Sequence, residues 1–211
     1  MVNKRVLIVD DHAVMRMGLK ELLQDLQPGV QILEANDGDE MLDVLRKNAI
    51  DLVVLDIHLP NTDTIKLVEL STIRFPQTDI LIFSMLSEQI YGRRLLKAGA
   101  KGFLSKNAAL EEIRHGLSMA LHSKRYLSPA LLDLLMRNAD EQHHADPFGR
   151  LSQREFEIVH DLLSGATINT IATRLNLKPS TVGTYKARIF EKLQVQTVFE
   201  LKELATLYQF N

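Results

Sequence analysis

Asp51-Leu52-Val53-Val54-Leu55-Asp56 is a short run, apolar almost throughout, that delivers one carboxylate at its end and is followed by Ile57-His58-Leu59-Pro60. Apolar and β-branched residues in succession, closed by a proline turn signal, predict a strand buried on both faces of a parallel sheet. Asp56 then stands at the carboxyl edge of that sheet, where open α/β sheets bind their ligands. A second such strand, Val6-Leu7-Ile8-Val9, ends in Asp10-Asp11. Two neighbouring strands would bring three carboxylates to one edge, a cluster that nothing apolar explains. Like charges so close resist ionising together unless a divalent cation or another positive charge compensates them. Hard oxygen donors suit Mg²⁺ better than Zn²⁺, and the chain contains no cysteine. The bland alternative is that Asp11 simply caps the following helix.

Outward from that stretch, strands at 5–9, 30–34, 51–55, 79–83 and 101–104 alternate with helical patterns at 13–26, 38–47, 63–74, 88–98 and 108–122. Five βα units in succession predict an α/β doubly wound (βα)5 domain with a parallel five-stranded sheet. Ser84 directly follows the fourth strand, and Lys106 follows the fifth by two residues. A strand-end hydroxyl and a strand-end ammonium beside three carboxylates form a site able to hold a phosphoryl group on one carboxylate. Singly, Ser84 reads as a turn residue and Lys106 as a solvated charge. Together at the strand ends they read as a site.

The 211 residues, 45% apolar and 25% charged, suit one large or two small globular domains. No window approaches 18 consecutive apolar residues, and Met1 leads into a strand without a signal-peptide core, so the expectation is a cytoplasmic protein with no membrane partner. Zero cysteines exclude disulfides and fit a reducing compartment. The net charge of −2 divides unevenly: residues 150–211 carry 8 Lys and Arg against 6 Asp and Glu, and residues 1–149 carry 17 against 21. That mild split permits nucleic-acid binding by the C-terminal part.

Residues 123–149 read as a connecting helix and linker. Ser128 and Pro129 open a short helix reaching about Asn138, and 139–150 lack periodicity. The pair His143-His144 reads as a solvated linker pair rather than a metal site. Residues 150–211 change to a small all-α domain. Ser152-Gln153-Arg154-Glu155 is a capping box opening a helix that Gly165 stops. Thr167 caps a second, Asn176-Leu177-Lys178 forms a tight turn, Pro179 opens a third, and Thr197-Val198-Phe199-Glu200 is a further capping box. Two helices joined by a tight turn describe a helix-turn-helix. On the third helix Val182, Ile189 and Leu193 share an inward stripe flanked by Tyr185, and Ser180, Thr184, Ala187, Arg188 and Glu191 fall opposite. Such a face suits a major groove, with Lys178, Lys186 and Lys192 placed towards phosphates; a plain helical bundle is the alternative.

Residues 1–122 resemble the receiver domain of a two-component response regulator, on the Asp10-Asp11 pair, Asp56 with Pro60 four residues on, Ser84, and the run Gly102-Phe103-Leu104-x-Lys106. The resemblance implies that Asp56 is the phosphoacceptor, charged by a sensor histidine kinase or phosphotransfer protein. It implies that Asp11, Asp56 and the backbone carbonyl of His58 bind Mg²⁺, with Asp10 acting mainly through a water. Lys106 would pair with Asp56 or the phosphoryl group, while Ser84 and Phe103 move together as the switch. Departures from the family pattern are Thr64 where glycine is usual and Met85 where a small residue is usual. His58 and Leu86 stand where the family tunes phosphoryl lifetime.

Residues 150–211 resemble the LuxR-type DNA-binding domain through Leu151-Ser152-x-Arg154-Glu155, Gly165, Ile171-Ala172, Leu175, Thr181-Val182 and Lys192-Leu193-x-Val195. A receiver joined to this domain is similar to the NarL/FixJ class, and Thr181-Val182-x-Thr184-Tyr185-Lys186-x-Arg188 is similar to its BvgA/EvgA branch. The resemblance implies a homodimer on double-stranded promoter DNA, with the last helix in dimer contact. The implied DNA-contacting set is Lys178, Ser180, Thr181, Thr184, Lys186, Ala187, Arg188 and Lys192. Lys178 replaces the usual serine cap and Gly183 a frequent lysine. The function implied is a phosphorylation-dependent transcriptional regulator, not an enzyme beyond its own phosphorylation and dephosphorylation. The competing readings are a regulator that works unphosphorylated through protein partners and an aspartate-based phosphatase. The latter would want a second aspartate where His58 stands.

Overall fold

The apolar runs form five parallel strands: β1 (Arg5–Val9), β2 (Gln31–Ala35), β3 (Leu52–Leu55), β4 (Asp79–Ser84) and β5 (Gly102–Ser105), in the order β2-β1-β3-β4-β5. A computed structural model of the chain describes residues 4–60, 62–86, 88–137, 147–208 and 210. Its contacts divide into two units, Met1–Glu141 and Gln142–Asn211. In the first, β3 and β4 are buried along their whole length, as continuous apolar runs between two layers must be. β1 and β3 are neighbours with Val9 opposite Leu55, so the residues that follow, Asp10 and Asp56, emerge side by side. The Asp56 N–H donates to the Val9 carbonyl at 2.9 Å, carrying the pairing one step past the strand.

Helices α1 (Ala13–Leu26), α2 (Gly38–Lys47), α3 (Thr64–Arg74) and α4 (Glu88–Lys97) make the four crossovers, and α5 (Leu110–Leu121) follows the last strand. Asp37 caps α2 and Asp63 caps α3 through their carboxylates. Asp11 does not cap α1: the N-cap residue is His12, and no side chain bonds the helix start. Ser84 is the last residue of β4, opposite Ser105, where the sequence places it just beyond the strand. One face of the sheet packs Val6, Ile8, Val54, Leu81, Phe83 and Leu104 against Leu19, Leu23, Leu117 and Leu121 of α1 and α5. Each fully buried aliphatic side chain contributes roughly 1.5–3 kcal/mol before entropy is counted.

After α5 the chain returns to the sheet. The Phe103 N–H donates to the Tyr126 carbonyl at 3.2 Å, making a bridge beside β5 at Gly102. A Cβ on Gly102 would lie 2.6 Å from the Tyr126 carbonyl oxygen, so only glycine permits this approach. The Tyr126 hydroxyl donates to Glu112 on α5 at 2.7 Å. Ser128 then caps α6 (Pro129–Arg137), accepting from the Leu131 N–H at 3.1 Å, while its own hydroxyl donates to Glu88 of α4. Leu131 is wholly buried and lies against Gly92. The expected connecting helix is therefore docked on α4, inside the first unit.

The second unit begins for the described residues with a 3-10 turn, Pro147–Arg150, within the stretch read as linker; residues 138–146, including His143 and His144, lie outside the described residues. Phe148 is fully buried and stacks on Phe210 at 4.1 Å, which also meets Phe156 edge-on at 4.8 Å. α7 (Gln153–Leu163) starts with the expected capping box and ends at Gly165, whose positive φ of 86° lets the Ala166 N–H reach the Asp161 carbonyl. Thr167 caps α8 (Ile168–Arg174), and Asn176, at φ 52°, turns the chain into α9 (Pro179–Leu193). Lys178 is the N-cap of α9 and gives no side-chain bond. α10 (Val198–Leu207) differs from expectation at its start: Thr197 caps it, but the Glu200 carboxylate accepts from the Gln196 N–H at 2.7 Å, one residue before the capping position.

Candidate functional site

The carboxyl edge of the sheet assembles what the strand ends predict. Asp10 and Asp56 are almost fully buried and Ser84 completely so. The Lys106 side chain, itself only 5% exposed, donates to Asp10 Oδ2 at 2.6 Å and to Asp56 Oδ2 at 2.7 Å. Its N–H is held by the Ser84 carbonyl at 2.9 Å, so β4 and β5 together aim the ammonium across β3 and β1. Burial pushes the Lys106 ammonium towards deprotonation, but its hydrogen bonds to Asp10 and Asp56 outweigh that and hold its pKa above the ordinary 10.5. The other oxygens meet backbone: Asp56 Oδ1 accepts from the His58 N–H at 3.3 Å, and Asp10 Oδ1 from the His12 N–H at 2.8 Å. The Ser84 hydroxyl accepts from the Leu86 N–H at 3.3 Å. Phe103 is wholly buried, and Met85 is exposed.

Two residues of this edge, His12 and Arg16, are absent from the sequence expectation, and a third, Thr64, stands there only as a departure from the family pattern. His12 joins the carboxylates, with Nδ1 2.7 Å from Asp11 Oδ1, and potential ligand atoms of Asp10, Asp11, His12 and Asp56 all lie within 4.8 Å of one another. Its adjacency to Asp10-Asp11 was the available signal. Thr64, standing where glycine is usual, is fully buried and its hydroxyl donates to the Ile57 carbonyl at 2.7 Å, tying the β3–α3 loop behind Asp56. Arg16 donates to the Asp10 carbonyl at 2.6 Å. No strand or helix period announces that bond.

In the second unit, Val182, Ile189 and Leu193 are buried, while Lys178, Ser180, Thr184, Ala187 and Arg188 of α9 and its cap are exposed, as helical periodicity requires. Thr181 and Lys186 are half-buried. Ser180, Thr181, Thr184, Tyr185 and Arg188 line a shallow depression on this face. The Lys186 ammonium lies 5.2 Å from the centre of the Phe190 ring. Lys192, expected among the phosphate contacts, is instead bound at 2.6 Å to Glu155, the carboxylate of the capping box on α7. Arg174 of α8 donates to Asp161 at 2.9 Å, and Arg154 donates to the Leu175 carbonyl at 3.1 Å. The exposed face of α9 thus rests on a helix whose buried acids brace both α8 and α9.

Comparisons with known proteins agree with both halves. The family described as response regulator receiver domain matches residues 6–118, and that of bacterial regulatory proteins, luxR family, matches residues 149–205. Along its length the chain is similar to the response regulator GacA of Pseudomonas aeruginosa, 32% identical over 203 residues, covering 95% of this chain and 94% of the relative. It is similar to the response regulator UvrY of Escherichia coli, 30% identical over 207 residues, covering 97% and 94%. Among solved structures, RcsB of Salmonella typhimurium shares the fold, with a TM-score of 0.60 at 22% identity over 98% of this chain and all of that one. None of the described helices is long and apolar enough to cross a membrane. With the sheet unit matched by one family, the helical unit by another and relatives similar across both, the chain belongs to the response regulators that join a receiver domain to a LuxR-type DNA-binding domain.

Proposed function

We propose that this regulator accepts a phosphoryl group on Asp56 from a sensor histidine kinase or phosphotransfer protein in the cytoplasm and then, as a homodimer, binds double-stranded promoter DNA. The observation that carries the reading is the buried Lys106 ammonium, bound at once to Asp10 and Asp56. Asp56 follows β3, which lies between the strand carrying Asp10 and the strand carrying Ser84, so every reacting group surrounds that one carboxylate. Its oxygen attacks phosphorus, and the new P–O bond forms as the bond from phosphorus to the donor's imidazole nitrogen breaks. Such transfers need positioning and charge neutralisation more than covalent help. Lys106 would follow the charge from the carboxylate to a phosphoryl oxygen while keeping Asp10, and the Ser84 hydroxyl would donate to another.

Receiver domains bind Mg²⁺ at an acidic pocket, and the donors here fit it: carboxylate oxygens are the hard ligands that ion takes. Asp11, Asp56 and the His58 carbonyl would hold it directly and Asp10 through a water. When bound, Mg²⁺ neutralises charge on the phosphoryl oxygens. Phosphorylation adds nearly two negative charges at the strand end, enough to redirect Ser84. Phe103 is already wholly buried, so its part in the switch is a repacking within the core rather than an inward swing.

On α9, Ser180, Thr181, Thr184, Ala187 and Arg188 would face base edges, with Lys178 and Lys186 towards phosphates and Lys192 acting through its brace on Glu155. Intact-mass measurement after incubation with acetyl phosphate and Mg²⁺ tests the acceptor. The wild type is expected to gain about 80 Da, one phosphoryl group, and Asp56→Asn to gain nothing. Undiminished labelling of Asp56→Asn would overturn the reading.

A further inference from the structure

The turn between β1 and α1 is held from behind by a residue that never enters the acidic pocket. Arg16, in the first turn of α1, has a side chain only 13% exposed, and its guanidinium is engaged on two sides. Nη1 donates to the main-chain carbonyl of Asp10 at 2.6 Å, and Nε donates to Glu34 Oε2 at 3.0 Å. Glu34 lies on β2 opposite Ile8 of β1 and also sits 3.5 Å from the Lys20 ammonium. The edge strand that contributes no pocket side chain is thereby tied to the pocket's backbone.

With Arg16 in place, each polar group of Asp10 has a partner. Its N–H donates to the Ala35 carbonyl at 3.2 Å, its carbonyl accepts from Arg16, Oδ1 accepts from the His12 N–H at 2.8 Å and Oδ2 from Lys106 at 2.6 Å. The carbonyl belongs to the planar peptide that joins Asp10 to Asp11. Fixing its oxygen fixes the plane from which Asp11 leaves. The guanidinium also places a second positive charge behind the carboxylates that the Lys106 ammonium already meets.

We infer that Arg16, held by Glu34, is a positioning residue for divalent-cation binding at this pocket: it presets the Asp10–Asp11 peptide so that the carboxylates need no rearrangement to receive the ion. The inference rests on Asp56 being the phosphoacceptor. Residues that orient metal ligands from behind govern affinity by roughly 10- to 100-fold when removed. Lysine is not equivalent at this position. Its single ammonium lacks the planar fork that serves a carbonyl and a carboxylate in fixed directions.

The test uses the full-length chain. Mg²⁺ alone is titrated calorimetrically, and the rate of Asp56 labelling by acetyl phosphate is followed by intact mass across Mg²⁺ concentrations. Arg16→Ala and Arg16→Lys are expected to raise both the Kd for Mg²⁺ and the Mg²⁺ concentration for half-maximal labelling by roughly 10- to 100-fold, with the rate at saturating Mg²⁺ changed by less than about threefold. Glu34→Ala shifts them in the same direction by less, and Arg46→Ala, a surface arginine on α2, leaves them alone. Thermal melts without Mg²⁺ show which variants fold; if Arg16→Ala does not, Arg16→Lys and Glu34→Ala carry the same comparison. Unshifted Mg²⁺ dependence in Arg16→Lys and Glu34→Ala, or a loss confined to the saturated rate, overturns the inference while wild-type labelling at Asp56 stands. A wild type that takes no label at Asp56 overturns the acceptor reading and the inference with it.

Discussion

Thr184 and Arg188 lie one helical turn apart on the exposed face of α9, where both would reach base edges under the proposed function, whereas Lys178 at the helix cap and Lys186 at its flank would meet phosphates. Arg188→Ala is expected to lose roughly 1–3 kcal/mol on the specific site and far less on scrambled DNA. Lys186→Ala weakens both about equally and lowers the salt slope by about 1. Binding isotherms on the two duplexes at several salt concentrations check this. Equal loss on both for Arg188→Ala would leave Thr184 as the base reader. The placement of single residues was legible in the sequence where it coincides with a strand end or a helix face, as for Asp10, Asp56, Ser84, Lys106 and Arg188. It was not legible where the partner is far away in sequence. Lys192 reads as a cation placed towards phosphates until Glu155, 37 positions earlier, is seen beside it, and nothing local singles out Arg16, whose carboxylate partner Glu34 lies 18 positions on.

Elements follow the sequence more closely, because continuous apolar runs and caps are local signals. β3, β4 and α9 begin and end within a residue of their expected limits. The start of α3 shifts by a single position because its capping residue, Asp63, lies outside the helix, and α10 starts right after its expected cap, Thr197. What the sequence did not reveal at this scale is contact between elements: the Tyr126 bridge beside β5 and the docking of α6 on α4 leave no periodic trace. The brace between α7 and α9 has a pH signature. Burial pushes the Glu155 carboxyl up, but the hydrogen bonds from Lys192 and Ser152 outweigh it, and its pKa lies below the ordinary 4.5. The brace therefore stabilises the fold fully above pH 4.5, and its contribution is lost as the pH falls through the lowered folded-state value. Lys192→Met is expected to destabilise the chain at neutral pH by roughly 1–2 kcal/mol, between the limits for exposed and buried pairs. Urea melts should show the gap between wild type and variant closing as the pH falls below 4.5. A gap constant with pH would deny Glu155 that role.

At the scale of the whole molecule, the sequence gives the order of a βα unit followed by a helical unit, because the hydrophobic period changes near residue 150. Phe148 belongs to the second core rather than to a linker, since a lone aromatic among polar residues shows no period of its own. Phosphorylation is expected to shift the protein from monomer towards dimer and to raise its affinity for promoter DNA. Light scattering with and without a phosphoryl mimic, together with DNA affinity in the two states, checks it. Identical masses and affinities would refute the coupling, and a constitutive dimer would refute only assembly. Between the pocket and the second unit, the chain passes Tyr126, whose carbonyl holds the Phe103 N–H. That amide hydrogen exchanges with solvent deuterium only when Tyr126 lifts from the edge of β5 or the sheet itself opens. The protein thus carries its own reporter: one exchange rate, read before and after phosphorylation, measures how firmly the outgoing chain stays fastened to the domain that receives the signal.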